Sequence, residues 1–424
     1  MRSSAGRGEC GRIPDPKSSS AAIRTQARTL RVNRRLTHLR YDYLAGDSTE
    51  AVSLLKTATA TSTLPVPSYA AQDRAFACAF DVLRRGIADR AFPGAAVAVT
   101  HAGKLMALKG LGRFTYDAAS PEVTAATVFD LASVSKVVAT TAMAMILYER
   151  GHLDLEAPVA AVLPEFASAD DPRRRAVTIR MLLAHSSGLP AYARLFDTAS
   201  TRDALLKAAS SAPLEADPGS RAEYSDLGFI ILGEALARIA SESLDSFCRR
   251  EVFGPLAMSH TTFCPPDAWK SRIPPTADDR DFRRCVIQGE VHDENASVLG
   301  GVAGHAGVFA PAADLATFAH AMLRGGCPIL RPETVELFAR RESSPPGTSR
   351  ALGWDTPRQP SQSGSHFSPR SFGHLGYTGT SLWIDPERAL SVTLLTNRTW
   401  PDRSSQKIKE VRPQFYDAIA EALR

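Results

Sequence analysis

Two β-prone hairpins stand near opposite ends of the patterned part of this chain, and nearly everything between them reads as helix. Residues 94–100 form an alternating run, and the turn His101-Ala102-Gly103 leads into a second run at 104–108, the signature of a hairpin. Residues 381–384, the turn Asp385-Pro386-Glu387-Arg388 and residues 390–396 repeat the pattern. An amphipathic helix is expected over 72–88, where Phe76, Phe80, Val82, Leu83 and Ile87 cluster at helical spacing. A closing helix is expected over 406–423. If the terminal strands pair, one sheet is built from both chain ends with flanking helices, and a helical lobe, roughly 131–290, is inserted between them. That is a two-lobed α/β protein with its cleft between the lobes.

Charge separates the first residues from the rest. Of the 50 basic residues, ten fall within positions 1–41 against only Glu9 and Asp15, which leaves the remainder at 40 basic and 43 acidic. Residues 1–67 are expected to be a basic, disordered tail that ends in the Thr, Ser and Pro stretch 57–67, and residues 68–424 to be the folded domain. The tail lacks the apolar core of a secretory signal, and the segment after Arg34-Arg35 is too polar for twin-Arg export. Its composition fits a transit peptide loosely and a wrongly assigned start equally well, so neither compartment nor oligomeric state follows from it. A near-neutral body without a groove-reading motif argues against nucleic acid as a partner. The longest apolar run, 137–147, is too short to span a bilayer. The six scattered cysteines show no C-x-x-C pair; they do not read as a zinc site or disulfide framework, and most read as buried apolar residues.

Three segments carry chemistry. Ser133 and Lys136 form S-x-x-K at the start of an apolar stretch, 129–150, expected to be a loop entering a long buried helix closed by Gly151. Residues three apart share a helix face, so the amine reaches the hydroxyl. Serine needs a neighbouring base to become a nucleophile, and a lysine serves if burial holds down its pKa. Tyr224 and Asp226 form Tyr-x-Asp at the mouth of another apolar helix, 227–240. A tyrosine between cationic groups can relay the serine proton; the plainer alternative is a core tyrosine beside a helix-capping aspartate. Finally, Gly373-His374-Leu375-Gly376-Tyr377-Thr378-Gly379-Thr380-Ser381 leads into the last hairpin. Its glycines let a substrate approach a strand edge; the alternative is a glycine-rich turn with a surface histidine.

These motifs, in this order, resemble the serine β-lactamase and penicillin-binding protein superfamily, with signatures S-x-x-K, then S-D-N or Y-x-N, then K-T-G or H-T-G. Residues 182–190, 291–296 and 300–309 match as well, and the likeness covers about 70–424. It implies a β-lactamase/transpeptidase-like fold and a class C-like, β-lactamase-related serine hydrolase. It also implies Ser133 as the acylated nucleophile, Lys136 as its base partner and Tyr224 as the proton shuttle. His374, Leu375 and Gly376 occupy the third motif, with Thr378-Gly379-Thr380 as a rival register, and the N–H groups of Ser133 and Tyr377 form the oxyanion hole. Asp226 stands where many relatives have Asn, and Leu375 where they have Thr. An Asp there should pair with Lys136.

The resulting expectation is hydrolysis of a carboxylic ester or amide on a small-molecule or peptidic acyl substrate, through an acyl-serine intermediate, with no cofactor and no metal. The alternatives are a D-Ala-D-Ala carboxypeptidase, a D-aminopeptidase, a β-lactamase, or a slowly acylating penicillin-binding-like sensor. His292, Asp293 and His305 lack the spacing of a zinc helix and read as a turn lining the cleft. His185 ends the short helix 178–184, which Thr178 caps, and is expected to interact with its last carbonyls. The Arg173-Arg174-Arg175 run reads as a solvated loop.

Overall fold

The structure, a computed structural model, describes residues 64–167 and 170–424. Residues 1–63, most of the expected tail, lie outside the described residues. Val66–Pro67, still within the span assigned to the tail, already pair in parallel with Lys104 and Leu105.

The two chain ends do share one sheet. Its six strands run in the spatial order Val66–Pro67, Lys104–Gly112, Gly94–His101, Leu390–Thr396, Ser381–Asp385, Phe372–Leu375. The junction is the antiparallel pairing of Gly94–His101 with Leu390–Thr396, from Ala95 opposite Thr396 to His101 opposite Leu390. Side chains alternate across a strand, and here the alternation sorts two cores. Val97 and Val99 face helices Ala77–Ala88 and Ile408–Ala422, packing with Phe80, Leu83, Phe415 and Ile419. Ala96 and Ala98 face the other way, into the core shared with the helical lobe. Small side chains on that face let the alanine-rich helix Ala312–Leu323 lie close against the sheet. The third-motif strand, Phe372–Leu375, sits at the sheet edge.

Several local expectations need correction. The first helix is broken at Phe76, giving Gln72–Ala75 and Ala77–Ala88. In place of one long helix after Phe129, the chain makes a two-residue strand, Phe129–Asp130, a 3-10 turn, Ala132–Val134, a π-helical stretch, Lys136–Thr141, and an α-helix, Ala142–Glu149. Periodicity marks this segment as buried but does not register a change of winding, and π turns concentrate at functional sites. Of the described cysteines only Cys248 is buried, while Cys78, Cys264 and Cys327 are exposed. Arg174 is no solvated residue. It is 1% exposed, donates to the carbonyls of Ser210 and Ala212, and lies 4.8 Å from the Phe166 ring. The guanidinium ties the 3-10 turn Pro172–Ala176 to the end of helix Arg202–Ser211, where carbonyls lack intrahelical partners.

Among the described residues no helix is long and apolar enough to cross a membrane. Arg174→Ala should lower the unfolding free energy by about 2–4 kcal/mol, since two buried carbonyls lose their donor. Arg175→Ala, on an exposed side chain, should change it by less than about 0.5 kcal/mol. Equal denaturant midpoints for the two variants would contradict the structural role of Arg174.

Candidate active site

Ser133 sits on the 3-10 turn Ala132–Val134, and the residue before it, Ala132, has φ +46°. A non-glycine residue in the left-handed region is strained unless its surroundings impose it. Here they do. The Asp130 carboxylate accepts the Ala132 N–H at 2.8 Å and the His292 N–H at 2.6 Å. From the sheet side, Thr378 and Thr380 donate their hydroxyl protons to the carbonyls of Asp130 and Leu131, each at 2.8 Å. The turn bearing Ser133 is therefore pinned from both lobes.

Around Ser133 the S-x-x-K and Tyr-x-Asp residues converge. Lys136 Nζ donates to Ser133 Oγ at 3.0 Å, to Asp226 Oδ1 at 2.7 Å and to the His305 carbonyl at 2.9 Å. Ser133 Oγ lies 2.7 Å from the Tyr224 hydroxyl, which itself donates to Asp226 Oδ1 at 2.9 Å. Lys136 is 0% exposed. Burial pulls its pKa down, while the Asp226 carboxylate opposes that shift by favouring the ammonium. Burial pushes the Tyr224 phenol well above its ordinary value, and Asp226 adds to the effect, so Tyr224 is a neutral donor at physiological pH. The expected pairing of Asp226 with Lys136 is present.

The third motif closes one wall. His374 is buried, and its Nδ1–H donates to the Leu375 carbonyl at 2.8 Å. Burial, with Lys136 and Arg350 nearby, holds its pKa down to about 3, so the ring is neutral. Its ring centre is 6.1 Å from that of Tyr224, which makes it a wall residue and not the surface histidine of the plainer reading. Gly376 has no room for a side chain: a Cβ would overlap the Thr380 hydroxyl and the Leu131 carbonyl. Tyr377 stands 47% exposed, its ring 5.9 Å from that of His292 and 4.5 Å from the Arg398 guanidinium. A cavity of about 500 Å³ joins these groups. Ser133, Tyr224, Asp226, His374, Gly376 and Tyr377 all line it, and Lys136 lies buried behind them.

His185 requires correction. Its Nδ1 accepts the Ser225 N–H at 3.0 Å, and its ring packs 4.8 Å from that of Tyr224 and 5.0 Å from that of Phe229. It supports the tyrosine and does not serve the carbonyls of its own helix. His292, Asp293 and His305 do line the cleft. His305 Nε2 meets Asp293 Oδ1 at 2.8 Å, and Asp293, held well below the usual carboxylate range chiefly by His305 against the effect of burial, caps helix Glu294–Val298. Among the described residues no group of three or more His, Cys, Asp or Glu side chains is arranged to hold a metal. Sequence reasoning missed Asp130, Thr378 and Thr380 as anchors of the nucleophile turn, and Arg350, whose guanidinium lies 5.6 Å from the Tyr224 ring. A lone arginine in a loop carries no sequence signal.

Serine, lysine and tyrosine side chains interlocked beneath a sheet edge fit a penicillin-binding-type serine hydrolase site on a β-lactamase/transpeptidase fold. The beta-lactamase family model matches residues 79–413, and the chain belongs to that family of serine hydrolases. It is 30% identical over 345 residues to an N-acetylmuramyl-L-alanine amidase of Bacillus subtilis (strain 168), covering 72% of this chain and 77% of that protein. It is 31% identical over 307 residues to an Escherichia coli (strain K12) protein provisionally named a D-alanyl-D-alanine carboxypeptidase, covering 65% and 70%. In fold it is similar to EstCE1, a hydrolase with promiscuous acyltransferase activity, with a TM-score of 0.67, 23% identity, and coverage of 82% and 99%. The family acts on small acyl substrates.

Asp130 gives the site a pH signature. Burial outweighs its two backbone bonds and raises its pKa from 3.8 to about 6. A carboxyl raised in the fold contributes stability that is present below its unfolded value and lost as pH rises through the folded one. That difference is worth about 3 kcal/mol. The stability gap between the unmodified protein and Asp130→Asn should therefore narrow between pH 4 and pH 7, measured by urea unfolding. A gap that widens over this range would contradict the assignment.

Proposed function

We propose that this serine hydrolase cleaves carboxylic esters of small acyl groups through an acyl-serine intermediate. Ser133 is the nucleophile, and Lys136 and Tyr224 are both hydrogen-bonded to its hydroxyl. The backbone N–H groups of Ser133 and Tyr377 face the developing oxyanion. Water then releases the acyl group. Ser135, the other serine of the motif, is fully buried and its Oγ accepts the Val308 N–H at 3.0 Å, which favours Ser133.

The ester preference rests on one observation, the 2.7 Å pairing of Asp226 with Lys136. An Asn at that place can donate to a substrate amide carbonyl, whereas a carboxylate only accepts and repels the carbonyl oxygen. A missing bond to a polar substrate group costs about 1–3 kcal/mol, enough to reverse a preference between substrate classes. Leu375 supplies no hydroxyl for a substrate carboxylate. Esters also have better leaving groups than amides and ask less of the base. A second reading, an amidase or D-Ala-D-Ala carboxypeptidase, is favoured by the names of the relatives and by Arg398 and Arg403 on the cavity wall, cations suited to a carboxylate.

Ser133→Ala should abolish both ester turnover and labelling by a fluorophosphonate probe; undiminished labelling, or a label mapped to Ser135, overturns the choice of nucleophile. In a product-detected comparison of short p-nitrophenyl esters, D-Ala-D-Ala peptides and β-lactams, esters should turn over fastest. A penicillin or cephalosporin hydrolysed faster than any short ester overturns the ester preference. Faster release of D-Ala establishes the carboxypeptidase reading, and a single round of labelling without product release would mean a sensor.

A further inference from the structure

The hydrogen bonds around Ser133 have only one consistent direction. A carboxylate accepts and never donates, so the single Tyr224 proton is committed to Asp226 Oδ1, 2.9 Å away. Tyr224 therefore has no proton left for Ser133, and the 2.7 Å contact between the two hydroxyls must be Ser133 donating to Tyr224. That in turn commits the single Ser133 proton, so at 3.0 Å Lys136 must donate to Ser133 Oγ. Its other contacts, Asp226 Oδ1 and the His305 carbonyl, are acceptors as well. Three donated bonds require three N–H groups, and only an ammonium has them. The rings of Tyr224 and Phe229, 5.0 and 5.5 Å from Nζ, are further neighbours that favour a cation. An amide at position 226 presents either an oxygen or an NH2 to this chain and so permits both directions; the carboxylate permits one.

We propose that Asp226 is the final acceptor of the Ser133 proton, delivered through Tyr224, and that Lys136 remains an ammonium throughout acylation. The proposal rests on Ser133 being the acylated nucleophile. As the Ser133 Oγ–carbon bond forms, the carbonyl π pair moves onto the substrate oxygen. The Ser133 proton passes to the Tyr224 oxygen, and the Tyr224 proton passes to Asp226. Negative charge leaves the carboxylate as it appears on the oxyanion, so the site's net charge stays constant and the ammonium exchanges one anionic neighbour for another. When the tetrahedral species collapses, the bond to the leaving group breaks. The departing oxygen takes a proton from Tyr224, which recovers one from Asp226, and the carboxylate is restored. A carboxylate is a weak base, which suits the ester preference.

The remaining titratable and charged groups around this chain are Arg350, Asp293 with His305, His185 and His374. Burial and cationic neighbours keep His185 and His374 neutral. The test is the pH dependence of Ser133 acylation in the full-length protein, read from fluorophosphonate labelling and from the burst with a p-nitrophenyl ester. The rate should be level from pH 7 to 9.5 and fall only in acid. Asp226→Asn should lower the plateau by about a hundredfold or more, and Asp226→Glu, which keeps a carboxylate acceptor, should recover part of it. A rate that climbs through pH 8–10 as free amine accumulates overturns the relay, as does an undiminished plateau rate in Asp226→Asn. Failure of the underlying reading looks different: Ser133 then carries no label in any variant at any pH.

Discussion

A lysine side chain with no exposed surface is the constraint that organises this molecule's functional half. An unpaired charge in a protein interior costs several kcal/mol, so each N–H of Lys136 must end on an acceptor. Three separate stretches provide them: the Ser133 turn, the first residue of helix Asp226–Ala240, and the glycine-rich loop that reaches His305. Close approach is part of the requirement. A Cβ at Gly304 would overlap the Phe229 carbonyl and crowd Gly233 on the same helix, and the Gly304 carbonyl accepts the Thr140 hydroxyl proton at 2.7 Å. Pairing the charge and packing the helical lobe are therefore one condition.

The sheet satisfies a complementary one. Its edge strand Phe372–Leu375 contacts the turn bearing Ser133, although turn and strand lie some 240 residues apart in the chain. The Thr378 and Thr380 hydroxyls close that gap by binding the two carbonyls just before Ala132. Gly376 is glycine because its Cβ would occupy the space that the Thr380–Leu131 bond uses. The left-handed Ala132, the buried Asp130 and the two threonines form a single clamp. It fixes the geometry of the turn that bears Ser133, and a reactive group held in place spares a reaction the entropy of finding its geometry.

What was legible in the sequence follows from what kind of information each feature needs. The hairpins, the Thr178 cap and the buried segments depend on local pattern, and the structure has them within a few residues of where the pattern puts them. Ser133, Lys136, Tyr224 and Asp226 were legible because their order matches a family pattern, and the Asp226–Lys136 pairing followed from charge alone. Arg174 was misread because three consecutive arginines look solvated until a carbonyl-rich helix end is placed against the middle one. His185 was misread because its partner, the Ser225 N–H, is 40 residues away. The winding change at Lys136–Thr141 preserves an apolar stretch, so hydropathy does not register it.

One substitution, a carboxylate in place of an amide at position 226, links these levels. One of its oxygens, Oδ1, accepts from Lys136 Nζ at 2.7 Å and from the Tyr224 hydroxyl at 2.9 Å. Lys136 lies close behind the cleft, Arg350 lies beside Tyr224 and His374 is neutral, while the Asp226, Asp293 and Glu294 side chains also line it. It holds no strong free base. Cleavage of an amide depends on protonating a poor nitrogen leaving group, whereas cleavage of an ester is limited more by formation of the tetrahedral oxyanion. Under the proposed relay, whose terminal acceptor is a weak base, the easier leaving group is the one such a site would favour.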